Sequence, residues 1–130
     1  MKIQASAENY LERILILNQN GNRARSVDIA NELEYSKASV SIAMKNLRSD
    51  GFITIDTSGY ITLTEKGLKI AETMYERHVL ISDWLIFLGV DKEIAVNDAC
   101  KMEHVISEQS FQAIKNHVAD WKQSIYRQTR

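Results

Sequence analysis

The sequence contains no proline, one cysteine and only five glycines. Average usage would give roughly six prolines in a chain of this size, so the absence of this helix breaker favours long, uninterrupted helices. A single cysteine, Cys100, excludes an intramolecular disulfide and favours a reducing compartment. The most apolar run, residues 84–90, is too short to cross a bilayer, and the N-terminus does not resemble a signal peptide. We therefore expect a cytoplasmic protein without a membrane partner.

The sequence also lacks an excess of charge of either sign. Lysine and arginine total 16 residues and aspartate and glutamate total 17, which leaves a formal net charge of −1. This balance excludes a nonspecific polycation, so nucleic-acid binding would require a local cluster of basic side chains. A hydrophobic fraction of 45% excludes a disordered chain and supports one or two small packed units.

The first half of the chain has a mixed pattern of helices and strands. Apolar spacing predicts a helix over residues 7–17 and two short helices capped by Ser26 and Ser36. The apolar segments 52–55 and 60–63 flank a polar turn and predict a β-hairpin. Two short helices followed by a two-stranded hairpin are typical of a winged helix-turn-helix domain. The turn of such a motif often contains a glycine, but this chain has Glu34-Tyr35 there. We therefore expect one of these two residues to adopt the left-handed conformation, at a cost of about 1 kcal/mol.

In such a domain the second short helix enters the major groove of DNA. Lys37, Ser39 and Ser41 lie near its start, where side chains reach base edges. Lys45 and Arg48 lie farther along, where they can contact phosphates. Residues 36–48 carry three positive charges and no negative charge, which is the local cluster that DNA binding requires. The further predicted DNA contacts are Arg25, Ser36, Thr57 and Ser58. The alternative is an ordinary solvated helix followed by an ordinary hairpin tip.

The second half of the chain is predicted to be entirely helical. A long helix begins after the capping residue Thr64 and continues to about residue 88, followed by helices over 91–106 and from Ser107 or Ser110 onward. We place the domain boundary inside the long helix, with residues 1–72 as one domain and 73–130 as the other. The apolar side chains predicted to form a dimer interface are Trp84, Leu85, Phe87 and Leu88. The alternative is that they belong to the intrachain core.

A candidate metal site lies in this helical half. Cys100, Glu103 and His104 have the spacing i, i+3 and i+4, so a helix would present all three on one face. Oxygen, nitrogen and sulfur donors together suit Mn(II), Fe(II), Co(II) or Zn(II) better than Mg(II) or Ca(II). His78 lies on the apolar stripe of the preceding helix and could face the same interior. The alternative for His78 is a hydrogen-bonded core residue without a metal. The alternative for Cys100, Glu103 and His104 is a chance combination of ordinary helix residues.

Five segments of the chain resemble the manganese transport regulator branch of the diphtheria toxin repressor family of metal-dependent transcriptional repressors. These segments are Ser6-Ala7-Glu8-Asn9-Tyr10-Leu11-Glu12, Ser26-Val27-Asp28-Ile29-Ala30, Gly59-Tyr60-Ile61-Thr62-Leu63-Thr64, Tyr75-Glu76-Arg77-His78 and Asn97-Asp98-Ala99-Cys100-Lys101-Met102-Glu103-His104. The resemblance implies a mainly α fold, with a winged helix and a two-stranded wing followed by an all-helical metal-binding and dimerisation domain. It implies the two-domain form, without the SH3-like third domain of some members.

The resemblance also implies the ligand set Glu12, His78, Cys100, Glu103 and His104, together with Asn9. Manganese-responsive relatives usually have an aspartate at the position of Asn9, and iron-responsive relatives have a cysteine at the position of Cys100. The sequence follows neither pattern completely, so both Mn(II) and Fe(II) stay open as the physiological ion.

The function implied is repression of metal-uptake or metal-homeostasis genes by a homodimer that binds a palindromic DNA operator when loaded with Mn(II) or Fe(II). Zn(II) or Co(II) would substitute in vitro. We expect no enzymatic activity and no small-molecule substrate. The alternatives are a metal-independent winged-helix regulator that senses an organic ligand or thiol oxidation, a metalloenzyme and a protein-interaction module. The metalloenzyme is disfavoured because no spare general base stands at a recognisable spacing.

Overall fold

The computed structural model describes residues 5–21 and 23–128, with side chains up to residue 121. The helices of this part are Ala5–Gln19 (α1), Ser26–Leu33 (α2), Lys37–Ser49 (α3), Glu65–Phe87 (α4), Lys92–Val105 (α5) and Glu108–Gln128 (α6), and the strands are Ile53–Ile55 (β1) and Ile61–Leu63 (β2). The chain divides into two compact units, Met1–Tyr75 and Glu76–Arg130, and the division falls inside α4. The predicted mainly α fold with a two-stranded wing is confirmed.

The tight turn between α2 and α3 forms the helix-turn-helix of the first unit. Glu34 ends α2 in the left-handed conformation, with φ of 57°, and is the single non-glycine residue with positive φ among the described residues. The next backbone amide, that of Tyr35, donates to the carbonyl of Ala30 at 3.1 Å. Ser36 then caps α3, because its Oγ accepts a hydrogen bond from the amide of Ser39 at 3.2 Å. The predicted left-handed residue and the predicted cap of α3 are both confirmed.

The start of α2 differs from the prediction. Ser26 is the first helical residue, and Arg25 is the N-cap in extended conformation. The amide of Arg25 donates to Asp28 Oδ2 at 2.9 Å. The carboxylate of the third helical residue thus satisfies the backbone amide of the N-cap residue. The predicted Ser26 cap was therefore wrong by one residue: the N-cap is Arg25, whose carbonyl also accepts a hydrogen bond from the amide of Asp28 at 3.0 Å.

The wing is an antiparallel hairpin in which Ile53 pairs with Leu63 and Ile55 pairs with Ile61. Its turn is closed by Asp56, whose Oδ1 accepts hydrogen bonds from the amides of Ser58 and Tyr60, both at 2.9 Å. The amide of Ile61 also donates to the carbonyl of Ala24 at 2.7 Å, which attaches the hairpin to the segment before α2.

The core of the first unit is formed by apolar faces of the helices and the inward residues of both strands. It consists of Leu11, Ile14, Leu15, Ile29, Ala30, Val40, Met44, Leu47, Ile53, Ile61 and Ala71. Burial of side chains of this size stabilises a fold by roughly 1.5–3 kcal/mol each. The face of α3 opposite this core is therefore left exposed to solvent.

The second unit contains the rest of α4, with α5 and α6. Its buried apolar side chains are Ile81, Ala95, Ala99, Phe111 and Val118. Ser107 caps α6, since its Oγ accepts from the amide of Ser110 at 3.1 Å. Among the described residues, no helix combines the length and the hydropathy that a membrane span requires.

Candidate metal centre and nucleic-acid interface

Four of the predicted ligands belong to the second unit. His78 lies on α4, and Cys100, Glu103 and His104 lie on α5. The spacing along α5 places its three side chains on one face, one helical turn apart. Ala95 and Ala99 are fully buried on the same helix, so small side chains allow α5 to pack closely and leave the larger polar groups together.

The Glu103 carboxylate is the centre of this cluster. Its side chain is fully buried, with Oε2 at 3.0 Å from Nδ1 of His78 and Oε1 at 3.3 Å from Nε2 of His104. Both imidazoles are themselves shielded, with 24% of the His78 side chain and 9% of the His104 side chain exposed. A carboxylate buried to this degree is costly without charged or hydrogen-bonding partners. The structure brings these three predicted ligands together.

Cys100 is half-buried on α5, one turn before Glu103. The predicted ligands of the second unit thus offer one thiol, one carboxylate and two imidazoles. This mixture of soft and intermediate donors fits a first-row divalent ion and disfavours Mg(II) and Ca(II). The residues present therefore fit the implied cofactor.

The other two predicted ligands, Asn9 and Glu12, belong to the first unit. They lie one turn apart on α1, where Asn9 is half-buried and Glu12 is 4% exposed. A glutamate buried at a helical position is uncommon without a binding or pairing role.

Sequence reasoning gave no role to Arg77, which the structure places beside the cluster. Arg77 is 7% exposed, and its Nη1 donates to the carbonyls of Glu103 at 3.1 Å and Ile106 at 2.8 Å. Its Nη2 donates to Glu108 Oε2 at 2.8 Å, and the guanidinium lies 5.3 Å from the centre of the Phe111 ring. The one signal in the sequence was the position of Arg77, a basic residue directly before the predicted ligand His78.

Glu108 responds to this contact. Hydrogen bonds donated by Gln112 and then by Arg77 hold the pKa of the Glu108 carboxyl below its ordinary value. The carboxylate is therefore the stable form at the start of α6, where the helix dipole also favours negative charge.

In the first unit, α3 presents the predicted DNA-reading residues to solvent. Lys37, Ser39, Ser41 and Lys45 are all exposed. The predicted contact Ser36 is also exposed, and its Oγ donates to Ser39 Oγ at 2.8 Å in addition to capping the helix. Ile42, which sequence reasoning did not single out for DNA, is 61% exposed on the same helix.

The remaining predicted DNA contacts lie around the wing. Thr57 and Ser58 are exposed at its tip. The guanidinium of Arg25 lies 4.3 Å from the centre of the Tyr60 ring, and that of Arg23 lies 5.4 Å from the same ring. The stacking of two arginines on one tyrosine was missed, because no spacing in the sequence signals it.

The predicted dimer residues differ in exposure. Phe87 is 54% exposed and Leu88 is 58% exposed, whereas Trp84 and Leu85 are half-buried. The Phe87 ring packs edge-on against Trp121 of α6, with centroids 3.5 Å apart. Part of this apolar segment is thus intrachain packing, and the rest faces solvent at the end of α4.

Comparison with known proteins adds independent information. Residues 2–60 match the N-terminal DNA-binding domain of the iron-dependent repressors, and residues 64–129 match their metal-binding and dimerisation domain. An uncharacterised HTH-type transcriptional regulator of Methanocaldococcus jannaschii is 32% identical over 122 residues, which cover 92% of this chain and 98% of that protein. The HTH-type transcriptional regulator MntR of Lysinibacillus sphaericus is 34% identical over 113 residues, which cover 87% and 81%.

The solved structure of the manganese regulator SloR is similar in fold, with a TM-score of 0.78 and 24% identity over 92% of this chain. This chain spans 55% of the length of that protein.

Proposed function

The chain belongs to the iron-dependent repressor family of metal-dependent transcriptional regulators, also called the diphtheria toxin repressor family, and from this premise we propose that it represses transcription as a homodimer loaded with Mn(II) or Fe(II). The observation that carries the proposal is the buried Glu103 carboxylate between the His78 and His104 imidazoles. The protein acts in the cytoplasm, on double-stranded operator DNA.

The proposed ligands are His78, Cys100, Glu103 and His104, with Glu12 and Asn9 of α1 added from the family resemblance. A bound divalent ion would supply positive charge that offsets the cost of burying the Glu103 carboxylate. Buried ligands exclude water and restrict side-chain motion, so the free energy of ion binding stabilises the conformation in which all ligands are in place. We propose that this conformation is the one that binds DNA tightly.

The proposed DNA contacts follow from the exposure of α3 and the wing. Lys37, Ser39 and Ser41 read base edges in the major groove, and Lys45 neutralises a phosphate. Arg25, Ser36, Thr57 and Ser58 contact the backbone beside the groove. A two-fold dimer joined through the apolar segment 84–88 presents two copies of α3, which explains a palindromic operator.

The choice of ion depends on two side chains. Cys100 provides a soft thiolate, which favours Fe(II), Co(II) or Zn(II), whereas Asn9 provides a neutral amide oxygen in place of a carboxylate. Among the proteins similar to this chain, SloR is described as a manganese regulator. We propose Mn(II) or Fe(II) as the physiological ion, with Zn(II) and Co(II) as substitutes in vitro.

Equilibrium dialysis of the full chain against Mn(II), anaerobic Fe(II) and Zn(II) tests the cofactor directly. We expect at least one ion bound per protomer and a higher midpoint of thermal unfolding with the ion than with chelator. Stoichiometries near zero for all three ions, with no shift in the unfolding midpoint, would contradict the proposal.

A further inference from the structure

We infer that Arg77 is a positioning residue of the metal site, which holds the last turn of α5 so that Glu103 and His104 are in place before the ion arrives. The inference rests on the proposed function, because it concerns the ligands of the proposed site. Arg77 itself offers no lone pair to a metal, since a guanidinium is a donor only. It acts through the backbone that carries two ligands.

The first step of the argument is the place of these ligands on α5. The helix ends at Val105, so Glu103 and His104 lie within its final turn. The last four carbonyls of a helix have no partner within the helix, and helix ends fray for this reason. Ligands at such a position lose a fixed geometry unless another group satisfies the terminal carbonyls.

The second step is that Arg77 satisfies two carbonyls of this helix end. One nitrogen, Nη1, donates to the carbonyl of Glu103 and to that of Ile106, the C-cap residue of α5. A positive charge at a helix C-terminus is also favoured by the helix dipole. Because the contacted residues are 26 and 29 positions away in sequence, these bonds fix α5 against α4 and not merely against itself.

The third step is that Arg77 is fixed on its other side. Its Nη2 is paired with Glu108 at the start of α6, and its guanidinium packs against Phe111. Arg77 also directly precedes His78, the ligand on α4. One side chain therefore joins the His78 segment of α4 to the Glu103 segment of α5, and these are the two elements whose side chains meet at 3.0 Å.

The structure also supplies a matched control. Lys115 of α6 pairs with Glu76 of α4, with Nζ at 3.3 Å from both carboxylate oxygens. This pair joins the same two helices as the Arg77–Glu108 pair, and it involves the residue next to Arg77. Both of these hydrogen bonds join α6 to α4 and neither involves α5. Lys115→Gln therefore removes an α4–α6 ion pair and leaves the end of α5 untouched.

The test compares full-length Arg77→Lys, Glu108→Gln and Lys115→Gln with the unmodified chain. Co(II) is titrated in competition with a chelating indicator, and the visible absorption bands of bound Co(II) report the ligand geometry. Arg77→Lys keeps the charge but replaces the planar fork with a single ammonium group. We expect at least about tenfold weaker Co(II) binding and shifted bands for Arg77→Lys, a smaller loss for Glu108→Gln, and binding within about twofold for Lys115→Gln.

Hydrogen exchange of the metal-free proteins separates positioning from general destabilisation. We expect faster exchange in Arg77→Lys at the amide of Ile106, which bonds to Met102 at the end of α5, with unchanged exchange at buried Ala99. The same local effect in Glu108→Gln supports the inference even if Arg77→Lys does not fold.

Two results would overturn the inference while leaving the proposed function intact. One is Co(II) binding by Arg77→Lys and Glu108→Gln that equals binding by Lys115→Gln. The other is exchange that accelerates equally at Ile106 and Ala99, which would mean a general structural role. If the unmodified chain binds neither Co(II) nor Mn(II), Fe(II) or Zn(II), the proposed function itself fails and the inference fails with it.

Discussion

Glu103 and His78 are 25 residues apart in sequence, yet Oε2 of Glu103 lies 3.0 Å from Nδ1 of His78. This contact joins α4 to α5 through two side chains that are metal ligands in the proposed function. It forms because the fully buried Glu103 cannot reach solvent and pairs with the nearest polar groups.

Glu103→Gln is expected to weaken Mn(II) binding by at least about tenfold, because the neutral amide is a poor ligand for the ion. The unfolding midpoint in chelator should stay close to that of the unmodified chain, since the amide keeps the size of the side chain and still offers hydrogen bonds to the two imidazoles. Isothermal titration with Mn(II) and thermal unfolding in chelator provide the two readouts. Glu76→Gln, on the exposed surface of α4, is the control and should bind Mn(II) normally. Unchanged Mn(II) affinity in Glu103→Gln would remove this residue from the site.

Lys45→Ala is expected to reduce operator affinity similarly for all sequences and to lower the slope of log affinity against log salt by about 1, because one phosphate contact is lost. Ser39→Ala should instead alter the preference among bases and leave the salt slope unchanged. Lys92→Ala, on α5 in the second unit, is the control for loss of a positive charge. Equal salt slopes for Lys45→Ala, Lys92→Ala and the unmodified chain would exclude a phosphate contact by Lys45.

Glu34→Gly is expected to stabilise the first unit by roughly 0.5–1 kcal/mol, since glycine adopts the left-handed conformation that Glu34 holds at φ of 57°. Urea unfolding of the metal-free chain measures the change. The matched control is Glu32→Gly, inside the same helix, which should destabilise by about 1 kcal/mol. A loss of stability in Glu34→Gly as large as in Glu32→Gly would show that no strain is relieved at this turn.

The pH dependence of stability should include a contribution from Glu108. Because hydrogen bonds from Gln112 and Arg77 lower the pKa of the folded form below the ordinary value of 4.5, the stabilisation is present above pH 4.5. It is lost as the pH falls through the lower pKa of the folded form. Thermal unfolding in chelator between pH 3 and 6 should therefore show a shallower pH dependence for Glu108→Gln, with Gln112→Ala intermediate. Identical profiles for all three proteins would contradict this contribution.

Local features of the fold were accessible from the sequence. Apolar periodicity and capping residues together predicted each helix in the part of the chain that the structure describes, and the polar turn 56–59 between two apolar runs predicted the wing. Ser36 was recognisable as a cap because its hydroxyl acts on an amide three residues away. The place of Glu34-Tyr35 in the turn, where such motifs often have a glycine, likewise predicted a left-handed residue. These features depend on interactions between neighbours in sequence, which residue types report directly.

The features that were missed depend on distant contacts. Arg77 bonds to backbone carbonyls 26 and 29 residues away, and a carbonyl carries no residue-type signature. The stacking of Arg23 and Arg25 on Tyr60 requires the hairpin to fold back beside α2. The candidate metal site, in contrast, could be suggested from the sequence. The spacing of Cys100, Glu103 and His104 along one helix is a local pattern, and His78 was suggested by its position on an apolar stripe.

The most direct test of the central claim is fluorescence anisotropy of a labelled operator duplex, selected from random sequence and titrated with the full chain in chelator, Mn(II) and anaerobic Fe(II). Glu103→Gln serves as the comparison at each condition. The account predicts that Mn(II) or Fe(II) tightens operator binding by at least about tenfold, a coupling of about 1.4 kcal/mol, and that Glu103→Gln loses this gain. Equally tight operator binding with chelator and with either ion would contradict the account.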